Sequence, residues 1–262
     1  MKDCFNISVI QLAPEALKVD ENISKINTLI KNNISIIKNT DLLILPEYFS
    51  LGVVNNLELK AAKMIEEKSK NYLKTLAEDY NTYVSGGTMP EVVDNNIYNT
   101  SFFYDRSSNL IAFYRKIHLY SYDDFNENGV FQTGQDIVLI DTEIARIGMG
   151  VCYDLRFPEH FRELRKRGAE IFIVPATWDY PFMNQWEPQT KSRAIENQSY
   201  LVAANISSTD YYGPFIGRSM LINYKGDVIA ALDGEEGVLS GQICLERLYE
   251  YRDKYRYYKD MD

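Results

Sequence analysis

The residue of this chain best placed to act as a nucleophile is Cys152, in Gly148-Met149-Gly150-Val151-Cys152-Tyr153-Asp154-Leu155-Arg156-Phe157-Pro158-Glu159. An apolar strand ends at Val151 and a helix is expected to begin near Pro158, so Cys152 falls on the turn between them. Small residues just upstream let the backbone crowd close there. A cysteine without context is a small buried hydrophobe, so other residues must argue for chemistry. A reactive thiol needs a proton acceptor and a positive neighbour. His160 lies on the expected helix beside Arg162 and Glu163, where a solvated role is expected. His118 follows Lys116 in a loop and competes as a base, yet no His-x-Glu follows Cys152. A carboxylate base therefore carries weight, and Glu47 is the candidate. A short apolar strand stopped by Pro46 delivers it to a sheet edge beside Tyr48 and Phe49. Lys116, in Tyr114-Arg115-Lys116-Ile117-His118-Leu119, follows another strand. Alone, each would be a solvated loop acid and an edge charge.

The elements that must position these residues read as follows. A strand over 5–11 precedes an amphipathic helix carrying Ile23, Ile26, Ile30 and Ile37, with Asp20 as its cap. A buried strand spans 41–45, a helix 59–80 and a strand 83–88. A hairpin follows, with strands 98–104 and 110–114 about a turn at 105–109. The polar, Tyr-rich stretch 116–135, with Gly129 and Gly134, is long enough to suggest a functional loop. Strands over 137–140 and 146–151, a helix 158–167, a strand 171–174 and a helix 187–197 come next. Strands 201–205, 220–224, 228–232 and 238–244 close the pattern, the third following a Lys225-Gly226-Asp227 turn. Two packed sheets with helices outside, an α/β fold built as a four-layer α-β-β-α sandwich, is the economical architecture. One domain is expected over 1–248. The segment 249–262, rich in Tyr and charge, reads as a frayed tail or as an arm between subunits.

Composition narrows the function. The chain has 262 residues, 45% hydrophobic and 25% charged, enough to bury a large core. A formal charge of -9 repels phosphate backbones, so nucleic acid is not an expected partner. Two histidines and no paired cysteines leave little to hold zinc or iron, so neither metal nor cofactor is expected. Cys4, Cys152 and Cys244 are few and far apart, which predicts unpaired thiols in a reducing, cytoplasmic setting. No segment has the apolar length that would imply a membrane span.

The three chemical segments resemble a known family. Leu45-Pro46-Glu47, the segment around Lys116, and Gly150 through Glu159 are similar in order and spacing to the signatures of the nitrilase, or carbon-nitrogen hydrolase, superfamily. The likeness runs from Val9-Ile10-Gln11 to Gly226-Asp227-Val228-Ile229 and includes Ser192-Arg193-Ala194-Ile195-Glu196-Asn197. Within it, the amidase branch that contains omega-amidases is the nearest match. The resemblance implies hydrolysis of a small amide by Cys152 as nucleophile, Glu47 as base and Lys116 as oxyanion partner with the Tyr153 backbone N–H. It also implies a second glutamate after the lysine, matched by Glu127, with Asp141 and Glu143 as poorer fits. It implies a homodimer or higher homo-oligomer.

A coupled site of this kind predicts a bell-shaped rate profile. Tyr48, Thr177, Trp178 and the Tyr211-Tyr212-Gly213 loop are expected to line the pocket, and Arg156, Arg193 or Arg218 to receive a substrate carboxylate. Hydrolysis of N-carbamoyl compounds or nitriles by the same residues is the alternative chemistry. A non-catalytic scaffold is the reading from another class.

Overall fold

The apolar runs read above become the buried centres of two sheets in the computed structural model, which describes residues 4–122, 125–208 and 214–257. The first sheet runs, in spatial order, Gly237–Cys244, Cys4–Gln11, Leu42–Ile44, Tyr83–Ser85, Asn96–Tyr104 and Met89–Val93, with Leu110–Arg115 also paired to Asn96–Tyr104. The second runs Val228–Ala231, Met220–Ile222, Tyr200–Asn205, Ile171–Ala176, Arg146–Met149 and Leu139–Asp141. Each has a parallel centre: Cys4–Gln11, Leu42–Ile44 and Tyr83–Ser85 in one, Arg146–Met149, Ile171–Ala176 and Tyr200–Asn205 in the other. Parallel strands covered on both faces need continuous apolar sequence, which is why Ile171–Ala176 and Tyr200–Asn205 are buried throughout.

Strand alternation assigns the faces. Ile7 and Val9 point at the second sheet and pack with Ile147 and Ile173, while Ile10 and Leu43 pack with Ile26, Ile30 and Leu73. The last three belong to the helices Val19–Asn32 and Leu59–Tyr80, which cover the outside of the first sheet. Helices Pro158–Lys166 and Met183–Asn197 cover the second, with Phe161 edge-on to Phe172 at 5.2 Å. The expected four layers are present.

Several expectations need correction. Asp20 does not cap the first helix: Lys18 holds the cap position and Asp20 sits in the first turn, paired with Lys68. Met89–Val93 is a strand despite Pro90, because it lies at a sheet edge where a missing N–H is tolerated. The cysteines are not all free. Cys4 and Cys244 face each other in antiparallel register and form a disulfide, which leaves Cys152 as the free thiol among the described residues. Their separation of 240 residues hid a pairing that only the sheet creates. The break expected after residue 248 falls inside a helix, Leu245–Lys254. That helix buries Leu248 and is tied down by Arg252, which donates to Gln198 O at 2.8 Å and Ala169 O at 2.9 Å. Tyr224, Tyr251 and Tyr255, packed as tilted ring pairs with successive centroids 4.8 Å apart, replace the aliphatic stripe expected of a packed helix. Among the described residues no helix is long and apolar enough to cross a membrane.

Candidate active site

Glu47 reaches its place because the strand Leu42–Ile44 stops at Leu45-Pro46 in the middle of the first sheet. Gly87 packs against that turn at φ +51°, and a Cβ there would lie 1.9 Å from Pro46 O, so only glycine fits. Lys116 follows Leu110–Arg115, with its N–H donating to Asn99 O at 2.9 Å and its carbonyl accepting from Gly134 N at 2.8 Å. Glu127 opens a short 3-10 turn, Glu127–Gly129, and accepts from Tyr120 N through Oε2 at 2.6 Å. Cys152 leads the 3-10 turn Cys152–Arg156 from the second sheet, at φ 45°. Positive φ at a non-glycine costs on the order of 1 kcal/mol and collects at functional sites. Tyr48, next to Glu47, shares it at φ 54°.

These side chains meet in one cluster. Lys116 Nζ lies 2.9 Å from Glu47 Oε1 and 2.9 and 2.7 Å from the two oxygens of Glu127. Both carboxylates are 0% exposed and Lys116 is 1% exposed. Buried charges persist only where they are paired and hydrogen-bonded, and here each is. Asn99 Nδ2 is within 2.9 Å of Glu47 Oε1, 2.9 Å of Tyr48 Oη and 3.1 Å of Glu127 Oε1. The Tyr48 hydroxyl donates to Glu127 Oε1, and the Thr177 hydroxyl to Glu47 Oε2 at 2.7 Å. Beside them, the Thr177 main chain lies next to the Cys152 sulfur and favours its ionised form.

The electrostatics follow from burial. Loss of water pushes the Cys152 thiol well above its ordinary value, and the Glu47 charge adds to it, while Lys116 pulls the other way. A neutral thiol therefore rests beside a carboxylate. Burial also raises Glu47, although Lys116 opposes it. For Lys116 burial favours the neutral amine, but Glu127 and Glu47 outweigh it and hold the ammonium. A base with raised affinity for a proton, a protonated thiol and a fixed cation can carry out nucleophilic attack on a carbonyl.

The cluster opens into a cavity of roughly 280 Å³ whose walls include Lys116, Cys152, Tyr153, Arg156, Thr177 and Trp178. Thr177 and Trp178, both read from the sequence as candidate pocket residues, line this cavity. Tyr48 does not line the cavity: it is 1% exposed and stands behind Glu127. The Tyr211-Tyr212-Gly213 loop lies outside the described residues. Of the three arginines, Arg156 faces the cavity, with its guanidinium 4.9 Å from the Trp178 and Phe182 rings. Arg193 instead donates to Leu155 O at 2.8 and 3.0 Å, and Arg218 is exposed. Asp141 and Glu143 form ion pairs with Arg146 and Arg106.

Neither histidine contacts the thiol through a hydrogen bond. His118 Nδ1 lies 2.7 Å from Asp154 Oδ1, and its ring stacks on Phe157. His160 is buried rather than solvated, with Nε2 at 2.7 Å from Met149 O, because the helix Pro158–Lys166 turns that face inward. Asp154 is a hub that sequence reading passed over. It accepts from Tyr114 Oη at 2.7 Å, His118 N at 3.1 Å and Val151 N at 2.8 Å, and so ties the Lys116 segment to the Cys152 turn. Burial would raise its carboxyl, but these hydrogen bonds and the nearby histidines hold it below the usual range. Asn99 was also missed: its one signal was a polar residue at a buried position of the strand Asn96–Tyr104.

Known proteins match this chain along nearly its whole length. The carbon-nitrogen hydrolase family model covers residues 6–253. A probable nitrilase of Schizosaccharomyces pombe is 32% identical over 95% of this chain and 92% of its own length. A 2-oxoglutaramate amidase of Paenarthrobacter nicotinovorans is 29% identical over 96% of this chain and 87% of its own. The crystal structure of Saccharomyces cerevisiae Nit3, a member of branch 10 of the nitrilase superfamily, superposes with a TM-score of 0.85 at 25% identity. That match covers 96% of this chain and 94% of that one. With the family model matching residues 6–253 and a relative 32% identical over 95% of this sequence, the chain belongs to the carbon-nitrogen hydrolase family.

Proposed function

We propose that the chain hydrolyses the side-chain amide of a small carboxylic acid, as an omega-amidase does, through a thioester on Cys152. The observation that carries this reading is the convergence of Glu47 and Glu127 on Lys116, which lines, together with Cys152, one cavity that also holds a cation, Arg156. Glu47 takes the thiol proton as sulfur attacks the carbonyl carbon, and the electron pair displaced onto oxygen is held by the Lys116 ammonium and the Tyr153 N–H. Collapse breaks the C–N bond, and ammonia leaves with the proton from Glu47. Water, deprotonated by Glu47, then attacks the thioester. The sulfur recovers its proton and the acid departs. Glu127 keeps Lys116 charged and in place throughout.

Arg156 receives the substrate carboxylate, its guanidinium pinned by Gln185 at 2.6 Å and by aromatic faces. The amidase relatives favour a 2-oxo acid amide of the 2-oxoglutaramate type. Ammonia release from a panel of amides, N-carbamoyl acids and nitriles tests the assignment. Preference for ω-amides of dicarboxylic acids is expected. Carbon dioxide as co-product or turnover of nitriles would move the assignment to those substrates, and no turnover by a chain whose Cys152 still takes an electrophile would make it a scaffold. Cys152→Ala should abolish activity, and Arg156→Leu should raise KM by about 10²-fold with kcat little changed.

The proposal includes a homo-oligomer, with exposed Tyr249, Tyr255 and Tyr257 near the end of the described chain as its contact, testable by mass measurement in solution. It retains a cytoplasmic setting, against which the Cys4–Cys244 disulfide weighs.

A further inference from the structure

Thr177 touches both halves of the reacting pair. It leaves the buried strand Ile171–Ala176 at the end nearest Cys152, and its main chain lies beside the Cys152 sulfur while its hydroxyl donates to Glu47 Oε2 at 2.7 Å. Its backbone is clamped on either side. Ala176 O accepts from Ile206 N at 3.2 Å, and Trp178 N donates to buried Asn205 Oδ1 at 2.7 Å. Asn205 is itself fixed by Gly217 O at 2.7 Å. The other carboxylate oxygen of Glu47, Oε1, is held by Lys116 and Asn99 from the opposite sheet. Without the Thr177 donor only Oε1 of the two carboxylate oxygens would be hydrogen-bonded, and from one side only.

We propose that Thr177 is a positioning residue, whose hydroxyl fixes the Glu47 carboxylate for its proton exchange with Cys152. A hydroxyl is suited to this because it can donate to a carboxylate and accept from a carboxylic acid in one geometry. It therefore holds Glu47 before and after the thiol proton moves. The inference rests on the reading of Glu47 as the base.

The test is the pH dependence of kcat/KM for ammonia release by Thr177→Val and Thr177→Ser. The valine variant keeps the β-branch and the main-chain contact and loses only the hydroxyl. Its kcat/KM should fall roughly 10- to 100-fold, the worth of one hydrogen bond to a charged group. Its acid limb should move to higher pH, since the lost donor favoured the ionised carboxylate. Serine should restore both. If the valine variant does not fold, Thr177→Ala gives the same readout. An acid limb unmoved in the variants lacking the hydroxyl, or a serine variant that behaves like valine, overturns the proposal. Glu47→Gln separates the two levels. If it is inactive while Thr177→Val is normal, only Thr177 is misassigned; if it keeps full activity, the base reading falls and the proposal falls with it.

Discussion

At the scale of the residue, the cluster holds two buried glutamates, one buried lysine and a buried thiol, and it meets solvent only through the cavity that Lys116 and Cys152 line. Activity needs Glu47 ionised before attack, so it is present above the Glu47 pKa and lost as pH falls through it. Burial raises that pKa above the value of about 4.3 for an exposed glutamate, which moves the acid limb of kcat/KM upward. The alkaline limb moves upward too, because Glu127 and Glu47 hold the Lys116 proton against burial. A bell displaced to higher pH on both sides is the expected profile, and an acid limb at the exposed-glutamate value would sink this account. Glu47→Gln should lower kcat by roughly 10² to 10⁴. Asn99 and Asp154 serve at one remove, holding the charged groups rather than the substrate. Tyr114→Phe removes one donor to the buried Asp154 carboxylate, and chemical denaturation should show a loss of about 1.5–3 kcal/mol.

At the scale of the element, the site is a set of strand ends. What was legible in the sequence was where those ends fall: the apolar run that stops at Pro46 for Glu47, and the one that stops at Val151 for Cys152. What was not legible depends on register between strands. Asn99 reaches Glu47 only because Asn96–Tyr104 lies two strands from Leu42–Ile44, and nothing in the local pattern of either strand says so. His160 looked solvated because Arg162 and Glu163 beside it are charged, yet the helix presents it to Met149. Glycines mark the tightest joins between elements. A Cβ at Gly134 would lie 2.1 Å from Arg115 O, next to the residue whose side chain holds both glutamates. Gly134→Ala should therefore push the Glu127 loop away from Lys116. A shift near 1 Å costs on the order of 10² in kcat, and overpacking of this kind about 1–3 kcal/mol of stability. Urea unfolding and steady-state kinetics read the two effects, and an unchanged kcat would show that the loop absorbs the methyl group.

At the scale of the whole molecule, the first sheet supplies Glu47, Asn99 and Lys116, and the second supplies Cys152 and Thr177. The site is thus completed only when the two sheets pack. The first sheet is closed near its edge by the pairing of Cys4–Gln11 with Gly237–Cys244, and the Cys4–Cys244 bond locks that pairing. A crosslink acts mostly on the unfolded chain, whose freedom it restricts more as the enclosed loop grows. With 240 residues between the cysteines, loss of the bond should cost about 3–5 kcal/mol, or roughly 10 °C in Tm for a chain of this size. Cys4→Ser should show that fall in a thermal scan without reductant and keep wild-type kcat at room temperature, because Cys4 takes no part in the cluster around Cys152. Thiol titration of the denatured chain gives the direct measure: one reactive thiol before reduction and three after. Three before reduction, together with an unshifted Tm for Cys4→Ser, would mean the strands pair without the bond, and the reducing, cytoplasmic setting read from the cysteine count would stand.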